Sequence, residues 1–156
     1  MGKNHSRVLS NMQSVTELKL YDPLGRDLDK VLGLEVDSDL EMFLDNKFDY
    51  CVVSSPTSTH LEVALKLAER GLPTLIEKPL ASNFAEAKEI SKAFRSSGTL
   101  GAVGHIERFN PSIIELRKNL KTDLIGKLIQ ITTRRVGPYS GRIRDVGVVK
   151  DLASHD

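Results

Sequence analysis

Two stretches of this chain carry side chains suited to work on one substrate hydroxyl. Thr74-Leu-Ile-Glu-Lys-Pro79 reads as a short apolar strand that delivers Lys78 to its carboxyl-terminal edge and stops at a proline. Asp151-x-x-x-His155 sets a carboxylate and an imidazole four residues apart, on one face of a helix. In an open parallel sheet, ligands bind beyond the carboxyl ends of the strands. Placed there together, His155 would take the hydroxyl proton and return it in the reverse direction. Asp151 would orient the imidazole, and Lys78 would hydrogen-bond the same oxygen and favour its anionic form. This is chemistry for turning an alcohol into a ketone. Plainer readings stand beside it: a solvated lysine at a strand end, and a surface i,i+4 pair worth about 0.2–0.5 kcal/mol.

The elements that must position these groups alternate between β-type runs and amphipathic helical stretches, the pattern of crossover units on a parallel sheet. Strands are predicted at Thr16–Tyr21, Leu34–Val36, Tyr50–Ser54, Thr74–Ile76 and Thr99–Val103. Ser38-x-x-Glu41 and Asn83-x-x-Glu86 have capping-box spacing. A helix over Leu61–Arg70 meets a stop signal at Gly71 and Pro73, and Phe84, Ala87, Ile90 and Phe94 share one face of the next, which ends before Gly98. After Pro111 the rhythm changes to a helix (Ile113–Leu120), a longer strand (Leu128–Arg135) and a loop rich in Gly, Pro and Arg from Val136 to Gly147.

The amino-terminal end has an unusual layout. Met1-Gly2-Lys-Asn-His5 looks like a helix entered at a glycine with no strand before it, and Asp22 follows twenty residues after Gly2 at a strand end. A dinucleotide-binding unit has that order of glycine turn, helix, strand and carboxylate, with Gly2 as the third glycine of G-x-G-x-x-G and the first two absent. On their own, a Gly and an Asp at this distance are a weak signal.

Composition narrows the classes. The 156 residues include 22 basic and 21 acidic side chains, so no global field draws the chain toward nucleic acid or an anionic membrane. The apolar runs are far too short for a membrane span, and the lone Cys51 reads as a buried small hydrophobe. A reducing cytoplasm fits these features. Four histidines (His5, His60, His105 and His155) show no ligand spacing, so no metal site is expected.

Six motifs in order carry a family resemblance: Met1-Gly2-x-x-His5-x-Arg7, Tyr21-Asp22-Pro23, Ser55-Pro56-Thr57-x-x-His60, Glu77-Lys78-Pro79, Gly104-His105-x-x-Arg108-Phe109-Asn110-Pro111 and Asp151-x-x-x-His155. With them the chain resembles the glucose-fructose oxidoreductase, inositol dehydrogenase and rhizopine-catabolism (Gfo/Idh/MocA) family of nicotinamide-dependent oxidoreductases. Arg134-Arg-Val-Gly-Pro138 and Arg142-Ile-Arg-Asp-Val-Gly147 add a likeness to the branch that oxidises C3 of UDP-N-acetylglucosamine. Inositol and other sugar or polyol dehydrogenases of the family, and an inactive fragment without catalysis, remain as alternatives.

The resemblance implies an α/β fold. A Rossmann-type parallel sheet lacking its first strand would fill residues 1–111, and the beginning of a second α/β domain for substrate and oligomer contacts would fill 112–156. Loss of the first strand would leave two neighbouring strands with unpaired edges. It implies catalysis by Lys78, Asp151 and His155, and cofactor contacts from Gly2, Asp22, Ser54, Ser55, Pro56, Thr57, His60, Glu77, Lys78 and Pro79. NAD is favoured over NADP, because the Asp22 carboxylate would accept from the ribose and repel a 2′-phosphate, a preference that Arg26 weakens slightly. Arg108 falls near the cofactor or the domain junction. Arg134, Arg135 and Arg142 would clamp a nucleotide-sugar diphosphate, with Tyr139 stacking on a base or sugar. A solvated basic face is an equal reading of those arginines, as is a core place for Tyr139. The full-length protein is expected to be a homo-oligomer.

Overall fold

A computed structural model describes residues 1–25, 33–122, 126–132 and 134. Its strands are all parallel. β1 (Leu20–Tyr21) pairs with β2 (Val36–Asp37), and β3 (Cys51–Val53), β4 (Thr74–Ile76) and β5 (Gly101–Val103) form a second ladder in the order β3-β4-β5. Between β1 and β3 there is no shared ladder among the described residues. The helices are α1 (Gly2–Ser10), α2 (Leu40–Leu44), α3 (His60–Glu69), α4 (Phe84–Ser96) and α5 (Pro111–Lys121).

The core gathers where α3 and α4 cover the three-stranded sheet. Val53 and Ile76 rise from the strands to meet Ala64, Leu67 and Ala68 of α3, Ile90 and Phe94 of α4, and Leu44 of α2. Two small residues on α3 let that helix approach closely, since Ala64 is fully enclosed and Ala68 nearly so. An aromatic stack joins the smaller sheet to this core: Tyr21 packs on Phe43, with ring centroids 5.7 Å apart, and Phe43 on Phe48 at 4.9 Å.

Both long helices stop as the sequence predicts, and by one device. Gly71 (φ 66) follows α3 and Gly98 (φ 67) follows α4, each in the left-handed region that a β-carbon disfavours. The amide of Leu72 then returns to the Leu67 carbonyl at 3.0 Å, and that of Thr99 to the Phe94 carbonyl at 3.0 Å. These are Schellman closures that satisfy otherwise orphaned carbonyls and turn the chain into β4 and β5.

Several expectations are corrected. The predicted first strand shrinks to Leu20–Tyr21, because β2 offers only two residues to pair with it. Residues 128–132 and 134, expected in a strand, lie in neither helix nor strand, and Ile129 is 92 % exposed. The cap of α2 is Asp39 rather than Ser38, its carboxylate accepting from the Met42 amide at 3.1 Å. Glu41 does not close a capping box; it reaches across to Lys66 and Arg70 of α3, which hold its carboxyl below the usual carboxylate range. Asn83 does cap α4, accepting from the Glu86 amide at 3.0 Å. Phe84 is 84 % exposed, so the buried face of α4 runs through Ile90 and Phe94 only, with Ala87 half-buried.

Gly101 sits against Phe94, where an added β-carbon would stand 2.9 Å from the ring Cγ. Gly101→Ala is therefore expected to lower the unfolding free energy in urea by about 1–3 kcal/mol, and adding Phe94→Leu should recover part of the loss. Cys51, on β3, is partly enclosed, and desolvation pushes its thiol up to about 11. Only the thiolate attacks an alkylating agent. Iodoacetamide at mildly alkaline pH should thus modify native Cys51 about a hundredfold more slowly than the urea-unfolded chain.

Candidate functional site

The first two turns of α1 meet the carboxyl ends of β3 and β4, at Ser54 and Glu77, two of the residues named for the cofactor side. α1 begins at Gly2, with Met1 as its N-cap; the Met1 carbonyl accepts from the amides of Asn4 and His5. Gly2 stands against the end of β3 so closely that a β-carbon on it would lie 3.1 Å from Ser54 Oγ. Ser6, one turn on, is buried and donates its hydroxyl to the Gly2 carbonyl at 3.0 Å. The absence of a side chain at Gly2 thus lets a helix amino terminus, with its unpaired amides, come down onto the strand ends.

His5 fixes the second contact. Its Nε2 lies 2.7 Å from Glu77 Oε1 at the end of β4. An ionised carboxylate only accepts, so the imidazole nitrogen is the donor in this bond. Glu77 is 4 % exposed. Its other oxygen, Oε2, accepts from the backbone amide of Lys78 at 3.1 Å. Gly104, just past β5, makes room for the carboxylate: a β-carbon there would lie 3.2 Å from Oε2. Ladder bonds continue past the strand ends to hold the frame, from the Glu77 amide to the Val53 carbonyl at 2.9 Å and from the Gly104 amide to the Ile76 carbonyl at 2.8 Å.

His60 corrects an expectation. Named among the cofactor contacts, it opens α3 as predicted, yet its ring is completely buried. Nε2 lies 3.0 Å from the Ser55 carbonyl, and Nδ1 lies 3.1 Å from that of Pro79 and 3.2 Å from that of Leu80. The imidazole fastens the segment after β3 to the segment after β4, a peptide that includes the cis bond between Lys78 and Pro79. A ring so enclosed acts on a ligand only by holding these two loops together. Thr57 is likewise buried, and it opens a 3-10 turn, Thr57–Thr59, rather than capping α3 with its hydroxyl.

The remaining residues distribute as follows. Ser55 and Pro56 are exposed on the loop after β3, and Lys78 is half-buried at the end of β4. Asp22 stands at the end of β1, its Oδ1 accepting from the Leu24 amide at 2.8 Å, which fixes the carboxylate's direction. Arg108 is exposed on the turn Ile106–Phe109, and Arg134 is exposed outside any helix or strand. Arg26, Arg135, Tyr139, Arg142, Asp151 and His155 lie outside the described residues. The His5–Glu77 contact was not read from the sequence, since the two residues are 72 positions apart and neither belongs to a local pattern that points to the other. Among the described residues no group of three or more His, Cys, Asp or Glu side chains could hold a metal ion, and no helix is long and apolar enough to cross a membrane.

Comparison with known proteins agrees with this fold. The scyllo-inositol 2-dehydrogenase (NAD(+)) of Bacillus subtilis (strain 168) is 32 % identical over 155 residues, covering 94 % of this chain and 42 % of its own length. The UDP-N-acetylglucosamine 3-dehydrogenase of Acidithiobacillus ferrooxidans is 32 % identical over 108 residues, covering 69 % of this chain and 33 % of its own. Among solved structures, the WlbA dehydrogenase from Bordetella pertussis in complex with NADH and UDP-GlcNAcA superposes with a TM-score of 0.72 at 23 % identity, over 81 % of this chain and 38 % of that one. The chain thus spans less than half the length of these relatives. The family model described as oxidoreductase family, NAD-binding Rossmann fold, matches residues 1–105. A parallel α/β layer with a glycine-headed helix on its strand ends, matched over two thirds of its residues by that model, makes this chain a member of the Gfo/Idh/MocA oxidoreductase family.

Proposed function

We propose that the protein carrying this chain is a NAD-dependent dehydrogenase that oxidises a secondary alcohol of a sugar to a ketone, with C3 of a UDP-N-acetylhexosamine as substrate position. The observation that supports the reading is the meeting of Gly2 with Ser54 and of His5 with Glu77, the residue before Lys78. A nicotinamide dinucleotide fits such a place. The approach of Gly2 leaves a helix amino terminus clear for a diphosphate, and Asp22, fixed at the end of β1, suits a ribose hydroxyl. The bound dinucleotide would supply the hydride acceptor, and the protein its binding and orientation.

The chain's own groups divide the remaining work. Gly2, Ser54, Ser55 and Pro56 line the diphosphate side, while Asp22 favours an unphosphorylated ribose and hence NAD. Lys78 hydrogen-bonds the substrate oxygen and stabilises its developing negative charge. His155, oriented by Asp151, removes the hydroxyl proton. Residues 112–156 begin a second domain for the substrate, in which Arg134, Arg135 and Arg142 bind a diphosphate and Tyr139 stacks on a ring. One observation favours a second substrate, an inositol: the inositol dehydrogenase relative aligns with 94 % of the chain, the UDP-sugar relative with 69 %.

Incubating the purified protein with NAD+ and either UDP-N-acetylglucosamine or myo-inositol, and following NADH absorbance, separates the two. NADH from the UDP-sugar is the expected result, and NADH from myo-inositol alone would refute the arginine clamp. Lys78→Ala should lower kcat by about a hundredfold or more. Undiminished turnover in that variant would remove the lysine from the mechanism.

A further inference from the structure

Glu77 and His5 hold a relation that the chemistry above leaves unused. A carboxylate that is 4 % exposed must recover the water it has lost, and Glu77 does so with a donor on each oxygen. One is the His5 ring on α1, at 2.7 Å; the other is the Lys78 amide on its own strand end, at 3.1 Å. Gly104 packs against the same carboxylate, where a β-carbon would stand 3.2 Å from Oε2. The carboxylate therefore has one seat, and that seat is shared between the helix that heads the dinucleotide site and the peptide that carries Lys78. Gly2 and His5 lie three residues apart on one turn of α1, so a shift of the helix at Gly2 moves the His5 ring with it.

We propose that Glu77 is a positioning residue, a buried link through which the seating of α1 sets the orientation of the Lys78 peptide. His5 is its second half. In functional terms the link rests on the dehydrogenase reading, because it gains a purpose if a dinucleotide presses on the head of α1 while Lys78 faces the substrate. As a mechanical link it stands on the three contacts alone. It also accounts for a division of labour on β4: Glu77 turns inward and is spent on geometry, while the next residue carries the reactive ammonium.

Residue-resolved amide hydrogen exchange on the whole chain tests the link without any turnover. In His5→Phe, which keeps the ring volume and loses the donor, the Lys78 amide should exchange about tenfold faster, while core amides at Ala68 and Ile90 change much less. His5→Gln, whose amide nitrogen reaches as far as imidazole Nε2, should hold Lys78 exchange within about twofold of the parent. An unchanged Lys78 amide in His5→Phe would overturn the link. Equal acceleration at Lys78, Ala68 and Ile90 would also overturn it, showing a general stabilising contact instead. Should His5→Phe not fold, Glu77→Gln decides the matter by the same comparison of Lys78 with the core. Added NADH gives a further arm: protection at Lys78 should rise in the parent and not in His5→Phe, and an equal rise in both would refute coupling. A parent that ignores NADH counts against the dehydrogenase reading, and the cofactor-free comparison then judges the link by itself.

Discussion

Gly2 stands so near Ser54 that a β-carbon would lie 3.1 Å from its hydroxyl, and His5, on the same turn, reaches Glu77 at 2.7 Å. These two contacts hold α1 against the carboxyl ends of β3 and β4. The rest of the site follows from that seating. Ser6 anchors back to the Gly2 carbonyl, the Glu77 carboxylate finds its donors, and Gly104 leaves the space in which it sits. A buried carboxylate without these donors would carry a penalty of several kcal/mol, more than a small, thinly covered sheet readily offsets. The interaction is therefore demanding on both sides: it needs the glycine for access and the imidazole for compensation.

The loops that follow β3 and β4 meet at a second buried side chain. The His60 ring lies within hydrogen-bond distance of three carbonyls there, that of Ser55 at Nε2 and those of Pro79 and Leu80 at Nδ1. A neutral imidazole donates from one of those nitrogens only, so the tautomer decides which loop it bonds. The segments bearing Ser54 and Lys78 thus converge on His60, and Glu77 adds its own bond to the Lys78 amide. Side chains on such loops keep their direction because the backbone beneath them is held, which is how a site on loops acquires the precision of one on strands.

Much of this was legible along the chain. Thr74–Ile76 was read as a strand to the residue, and Gly71 and Gly98 announced the ends of α3 and α4, because those signals are local: a period of two, and a left-handed glycine. Strand length was less legible. Thr16–Lys19 has the look of a strand, yet pairing is a property of two segments, and β2 supplies only Val36 and Asp37. Ser38 lost its cap to Asp39 for a related reason, since Glu41 was drawn away by Lys66 and Arg70 from another helix. The burial of His60 had no local signal either, because burial of a polar ring is decided by carbonyls from distant loops. The His5–Glu77 contact had no local signature at all.

Two relatives whose names give different substrates, an inositol and a UDP-sugar, are each 32 % identical to this chain. Identity over the shared stretch therefore does not encode the substrate. The family model ends at residue 105, and the contacts described above, from Gly2 to Gly104, all fall inside it. Under the proposed function, the helix head and the strand ends face a diphosphate common to NAD and NADP. Under the same proposal, Arg134, Arg135 and Arg142 are the part of the sequence with the charge to tell a substrate diphosphate from a neutral ring.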